Sequence, residues 1–207
     1  MNSDRWDLRN TLAAGVSTFG KTTFLLKLLV TRQDFTVRFI FDPLGKMAHT
    51  LGLASAETWE ECELAIEDGW VCFDPARLFP GDKKPALEAF ARRSYDWSLA
   101  LPGQKGLLVD EVWKYQGTQS IPQPLAEWVQ DGAKHGCECL FATQVPNKLN
   151  SAVTANLSEV VCFCLQEKNG LDWAEDRGFD RAEIRQLPQG WFVSRSLTGG
   201  EMRGRLW

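Results

Sequence analysis

The chain has 207 residues, 23 Lys+Arg against 27 Asp+Glu, and six cysteines. That length suggests one domain, 1-207, large enough to bury a core without disulfides or metal. An apolar fraction of 44% and a charged fraction of 24% argue against wholesale disorder, and no apolar run reaches the roughly 18–20 residues of a membrane span. A formal charge of −4 argues against an exterior coated in nucleic acid while leaving room for a local basic surface.

Met1–Asn10 is polar, carries Arg5 and Arg9, has no apolar h-region and does not read as a secretory signal. Thr11–Gly15 reads as a short strand, Gly15–Thr22 as a loop and Lys21–Arg32 as a helix. A strand over Val37–Phe41 stops at Asp42-Pro43, Glu57–Ile66 is helical, and the Trp70–Phe73 strand stops at a second Asp-Pro. Phe79–Pro85 is a turn-rich link before a helix over Ala86–Ala100. Lys105–Val112 is a strand with an apolar centre, Pro122–His135 a helix ended by Gly136, and Glu138–Thr143 a strand. Ala152–Leu157 and Leu171–Arg177 are short helices flanking a strand over Val160–Leu165. Trp191–Arg195 and Glu201–Leu206 flank Thr198-Gly199-Gly200 as a terminal hairpin. Apolar runs without alternation suit strands buried on both faces. Their alternation with helices predicts an α/β fold with a mostly parallel sheet.

Gly15-Val16-Ser17-Thr18-Phe19-Gly20-Lys21-Thr22 fits G-x-x-x-x-G-K-[ST] between a strand and a helix. Glycines allow the tight turn that aims successive N–H groups at phosphate oxygens, and the helix N-terminus adds partial positive charge. Residues 15–22 and the following Thr23 are the candidate nucleotide-binding segment. Lys21 is expected to reach the β- and γ-phosphates and the Thr22 hydroxyl to ligate Mg²⁺. Phe19 makes the loop tip bulky, which is tolerable where its φ stays negative. Leu107-Leu108-Val109-Asp110-Glu111 is an apolar strand ending in two carboxylates. Asp110 is expected in the Mg²⁺ shell and Glu111 as the general base that polarises water. Gln144, closing Phe141-Ala142-Thr143-Gln144, would share the carboxyl edge with Asp110 if their strands are neighbours. Its amide could donate to a γ-phosphate or orient water.

The cysteines include two C-x-C pairs, Cys137/Cys139 and Cys162/Cys164. Residues i and i+2 of a strand share a face, so both pairs could meet at a metal. Small apolar residues in a buried sheet are the plainer reading, and free thiols fit a reducing cytosol. His49 and His135 have no partner arrangement that suggests catalysis.

These motifs resemble the FtsK/HerA superfamily of P-loop ATPases: GVSTFGKT at 15–22, FIFDP at 39–43, LLVDE at 107–111 and ATQVP at 142–146, with IRQLPQGWFV at 184–193 similar to the family's ending. The resemblance implies a RecA/ASCE-like three-layer sandwich, ATP and Mg²⁺ as cofactors, and Gln144 as a sensor. It also implies a ring oligomer, often a hexamer, completed by an arginine from the next subunit, with Lys83, Lys84, Lys114 and Lys148 as candidate pore residues facing DNA phosphates and solvated loops as the plainer reading of each. Arg177, Arg181 and Arg185 are candidates for that arginine, with Arg177 favoured, and Arg92 and Arg93 form a second pair. The short chain most resembles the genome-packaging ATPases of tailless, membrane-containing icosahedral double-stranded DNA viruses. That likeness implies a motor driving double-stranded DNA into a capsid, in the cytoplasm of an infected cell or at a capsid vertex, with vertex or virion membrane proteins as partners. Another DNA translocase, an assembly or extrusion ATPase, a small-molecule kinase and a non-hydrolysing structural protein are the alternatives.

Overall fold

A computed structural model describes residues 10–117, 119–196 and 199–207. The polar start before Asn10 and Thr198 of the expected hairpin turn lie outside the described residues. Eight strands form one sheet: β1 (Thr11–Ala14), β2 (Phe35–Phe41), β3 (Trp70–Phe73), β4 (Gln104–Val109), β5 (Cys137–Thr143), β6 (Glu159–Cys162), β7 (Trp191–Ser196) and β8 (Glu201–Arg205). Their order is β3-β2-β4-β5-β1-β6-β7-β8. The first six pair in parallel, and β7 and β8 join antiparallel, so the mostly parallel sheet and terminal hairpin expected from the sequence are both present.

Helices cover both faces. The helices α1 (Lys21–Thr31) and α2 (Lys46–Leu51) lie on one side, where Leu25, Leu26, Leu29, Met47 and Ala48 meet Ala13, Ile40, Leu108 and Leu140. The opposite layer holds α3 (Trp59–Glu67), α4 (Lys83–Ala100), α5 (Gln123–Gln130), α6 (Ser151–Ala155), α7 (Lys168–Glu175) and α8 (Arg181–Gln186). Phe90, Trp128, Val153, Leu171 and Ile184 of this layer pack on Leu12, Phe39, Phe41 and Phe141. Alternate strand residues therefore feed opposite cores, which is why the centres of β1, β4 and β5 are apolar without alternation.

Several boundaries differ from expectation for local reasons. Asp82 caps α4 by accepting from the Lys84 N–H at 3.3 Å, and Pro85 is tolerated in the first turn, where intrahelical donors are not needed, so the helix begins inside the expected link. The 122–135 helix is broken after Gln130, and Gly132–His135 form a 3₁₀ turn. Asp42 creates α2, which sequence patterning missed, by accepting from the N–H groups of Lys46, Met47 and Ala48 at 3.1, 2.7 and 2.8 Å. The two C-x-C pairs do not share a site, because β1 lies between β5 and β6. All six thiols are free and buried. Burial pushes Cys62 and Cys72 up to about 12, so these two sulfurs sit as neutral thiols.

Candidate nucleotide site

The site is built where β1, β4 and β5 end side by side. β1 is buried along its whole length, and two anchors fix the chain as it leaves the strand: Gly15 N–H donates to the Thr143 carbonyl at 3.1 Å and Val16 N–H to Cys164 at 2.8 Å. A Cβ on Gly15 would lie 2.6 Å from the Phe163 Cβ, so only glycine permits this approach. The loop then turns through Thr18 at φ 66° and Gly20 at φ 109°. The left-handed position falls on Thr18, and Phe19 is not among the positive-φ residues, so its bulk is accommodated. A β-branched residue in that region is a strained choice. Gly20 has no side chain with which to cap α1, leaving the first-turn N–H groups directed at the loop's concavity, the arrangement that suits a phosphate.

Lys21 is 5% exposed. Its ammonium donates to the Val16 carbonyl at 3.0 Å and lies 3.9 Å from Glu111 Oε1. Burial lowers its pKa, with Glu111 and Asp110 opposing that shift. Thr22 donates its hydroxyl to Asp110 Oδ2 at 2.8 Å. The other carboxylate oxygen of Asp110, Oδ1, is buried without a protein partner, and burial raises the Asp110 pKa. A partnerless carboxylate oxygen beside a hydroxyl is a hard-oxygen donor set that suits Mg²⁺, which keeps most of its shell for water and phosphate. Thr22 and Asp110 would hold that ion. Ser17, Thr18 and Thr23 are exposed on the loop and first helical turn, and Val16 is half-buried.

β4 ends at Val109, earlier than expected, and Glu111 adopts φ 51°, ψ 44° before a 3₁₀ turn over Val112–Lys114. This left-handed residue turns the second carboxylate toward β5. Gln144 donates to it twice, through Nε2 to Oε1 at 2.7 Å and through its backbone N–H to Oε2 at 3.2 Å. The strand adjacency that the Gln144 expectation required is present, since β5 lies between β4 and β1. Trp113, which sequence reasoning did not single out, donates Nε1–H to Glu111 Oε2 at 2.7 Å. Tyr115 is 8% exposed, and burial, helped by Asp110 and Glu111, pushes its phenol up to about 12. It lines a cavity of about 610 Å³ beside Thr22, Asp110 and Glu111. Lys46, Lys83, Lys84 and Lys114 also border this cavity, which places three of the four candidate DNA lysines next to the carboxylates.

The C-terminal hairpin braces the loop from outside. Gln189 Nε2 donates to the Thr18 carbonyl at 2.8 Å, Gly190 N–H to Phe19 at 3.2 Å and Lys27 Nζ to Leu206 at 2.7 Å. The side chains of four of the candidate arginines are held by other groups. Arg177 follows α7, stacks on the Trp173 ring at 3.9 Å and donates to the Trp173 carbonyl at 3.2 Å. Arg181 pairs with Asp172 and Glu175, Arg92 pairs with Glu127, Arg93 lies over the Trp59 ring, and Arg185 sits on α8.

No family model and no curated protein sequence matches the chain. Solved structures do. The genome-packaging NTPase B204 of Sulfolobus turreted icosahedral virus 2, in complex with sulfate, superposes with a TM-score of 0.76 at 16% identity, covering 97% of each chain. VirB4 of Thermoanaerobacter pseudethanolicus gives 0.68 at 12% identity, covering 96% of this chain and 89% of its own. The plasmid coupling protein TrwB, in complex with a non-hydrolysable GTP analogue, gives 0.64 at 13%, covering 96% and 85%. The chain has the fold of a P-loop NTPase. These structures are FtsK/HerA-type P-loop ATPases, the superfamily that the motifs resemble, and B204 has also been solved with AMP, AMPPCP and ATP-gammaS. Among the described residues no helix is long and apolar enough to cross a membrane.

Proposed function

We propose that this chain is an ATP-hydrolysing motor that moves double-stranded DNA, and that its cargo is a viral genome entering a preformed capsid. One observation carries the catalytic part: the Glu111 carboxylate stands between Lys21 and Gln144, beside the Thr22–Asp110 pair. Glu111 accepts the proton of the attacking water, while Gln144 orients that water or the terminal phosphate. The Lys21 ammonium and the N–H groups of the loop and α1 stabilise phosphoryl charge. Mg²⁺, held by Thr22 and Asp110, would neutralise developing charge on the phosphates when bound. The genome-packaging NTPase and the plasmid coupling protein of similar fold support DNA as the cargo. In this reading the working unit is a ring, a hexamer as the superfamily resemblance implies, whose site is completed by Arg177 of a neighbouring subunit. Capsid-vertex or virion membrane proteins dock it in the infected cell.

The lysine-bordered cavity favours one second reading, a kinase that places a small acceptor beside the terminal phosphate. Turnover of ATP with and without duplex DNA, on wild type and Glu111→Gln, separates the two. A motor hydrolyses ATP faster with DNA, and Glu111→Gln lowers that rate by about 100-fold or more, the share of a general base. ATP consumption that requires an added small acceptor would sink the motor reading.

A further inference from the structure

In the structure Glu111 is engaged by three donors: Gln144 Nε2 on Oε1, and Gln144 N–H with Trp113 Nε1 on Oε2. A carboxylate offers about four lone-pair sites, and what remains lies near the Lys21 ammonium at 3.9 Å. A general base must present an open acceptor to water. Oε2 is therefore latched by two donors, and the Trp113 indole is the side-chain part of that latch. The same indole carries two lysines. Lys148 Nζ lies 5.2 Å from its ring centroid and Lys114 Nζ 6.0 Å. Lys114 follows the Asp110–Glu111 pair and Lys148 follows the Gln144 strand, so both strand ends that supply the base and its partner also supply an exposed cation to one ring.

We propose that Trp113 is a positioning residue that links DNA phosphates, bound by Lys114 and Lys148, to release of the Glu111 carboxylate for water activation. An exposed ammonium over an aromatic ring is held weakly, and a DNA phosphate competes for it directly. When the two lysines leave the ring, the indole loses the contacts that hold it against Oε2 and its N–H bond opens. Glu111 then has a free acceptor site on Oε2 for water, on the oxygen away from the Lys21 contact. Idle hydrolysis is restrained without DNA, and only general phosphate contacts are needed, so the coupling is indifferent to sequence. This rests on the motor reading above.

Trp113→Phe keeps an aromatic ring and removes only the donor. Its DNA-free turnover is expected to rise by about tenfold, the order that one charge-assisted hydrogen bond controls. The KM for ATP stays within about twofold, and the ratio of DNA-stimulated to DNA-free rate falls toward one. Lys114→Ala/Lys148→Ala is expected to lower that ratio as well. A second measurement uses the wild-type chain without nucleotide: the ¹⁵N–¹H indole resonance of Trp113, assigned through its side-chain connectivity, moves when a short duplex is added. It does not move in the double lysine variant. Equal loss of basal and stimulated rates in Trp113→Phe, or an indole resonance unmoved by bound duplex, overturns the linkage. A wild type whose turnover ignores duplex DNA overturns the motor reading and the linkage together. A responsive wild type with an equally responsive Trp113→Phe overturns the linkage alone.

Discussion

Asp110 and Lys21 carry opposite charges in a cleft that penalises both, since burial raises the carboxylate pKa and lowers the ammonium pKa. The Asp110 shift has a definite sign for stability. A folded-state pKa above the unfolded one means that the folded chain binds the proton more tightly. The group then favours folding most below the ordinary carboxylate range. That contribution fades as pH climbs through the raised folded value, and near neutrality the buried charge weakens the fold. Asp110→Asn removes the charge and keeps an oxygen for the Thr22 hydroxyl. Without ligand its urea midpoint at pH 7 is expected to rise, by about 1 kcal/mol in stability, with the gain shrinking toward pH 4. The added stability that Mg²⁺ and ATP confer on the wild type should disappear from this variant. A ligand-free midpoint lower than wild type at pH 7 would contradict this account of the site.

At the scale of elements, the phosphate loop is a strand–turn–helix unit that the terminal hairpin holds from outside. A Cβ on Gly20 would fall 2.4 Å from Leu206 Cδ1, at a φ of 109°. Gly20→Ala therefore suffers both a backbone and a packing penalty, together on the order of 1–3 kcal/mol. Leu206→Ala clears the packing part alone. In a double-mutant cycle on unfolding free energy, the pair should couple by at least about 0.5 kcal/mol, with the backbone part left uncorrected. Simple additivity would place the hairpin away from the loop. The sequence signals reached this element unevenly. The loop and α1 were legible from local spacing, whereas Gln189, Gly190 and Leu206 bear on the loop from the far end of the sequence. α2 was missed because its start depends on the Asp42 carboxylate, which patterning read only as a strand stop.

For the whole molecule, the anchoring of Arg177 on Trp173 decides how a finger would act. Arg177 is held by its own Trp173 on the helical layer opposite α1, so it would serve a neighbour's nucleotide in a ring. Lys21→Ala and Arg177→Ala should each hydrolyse ATP poorly, the second by about 10³-fold or more where the finger stabilises transition-state charge. Mixed together they should recover a measurable fraction of wild-type turnover, because one subunit keeps an intact loop while its neighbour keeps an intact arginine. A mixture no faster than its parts removes the trans role. DNA-stimulated turnover should also fall steeply between about 50 and 200 mM salt, as counterion release requires of phosphate contacts. A salt-insensitive stimulation would point to contacts other than Lys83, Lys84, Lys114 and Lys148.

The sequence by itself determined most of the elements and the chemistry carried by neighbouring residues: the loop between β1 and α1, the carboxylate pair after β4, the amide after β5, and the alternation that makes the sheet parallel. Those are short-range patterns, set by side-chain periodicity and by residues whose backbone needs are local. The tertiary structure decided which strand ends meet. By inserting β5 between β4 and β1 it brought Gln144 onto Glu111 and, through β1, kept the cysteine pairs apart. It also gave Glu111 the left-handed turn that aims its carboxylate at Gln144 and Trp113. Strand order and that turn are fixed by packing across the two helical layers, which no window of sequence contains.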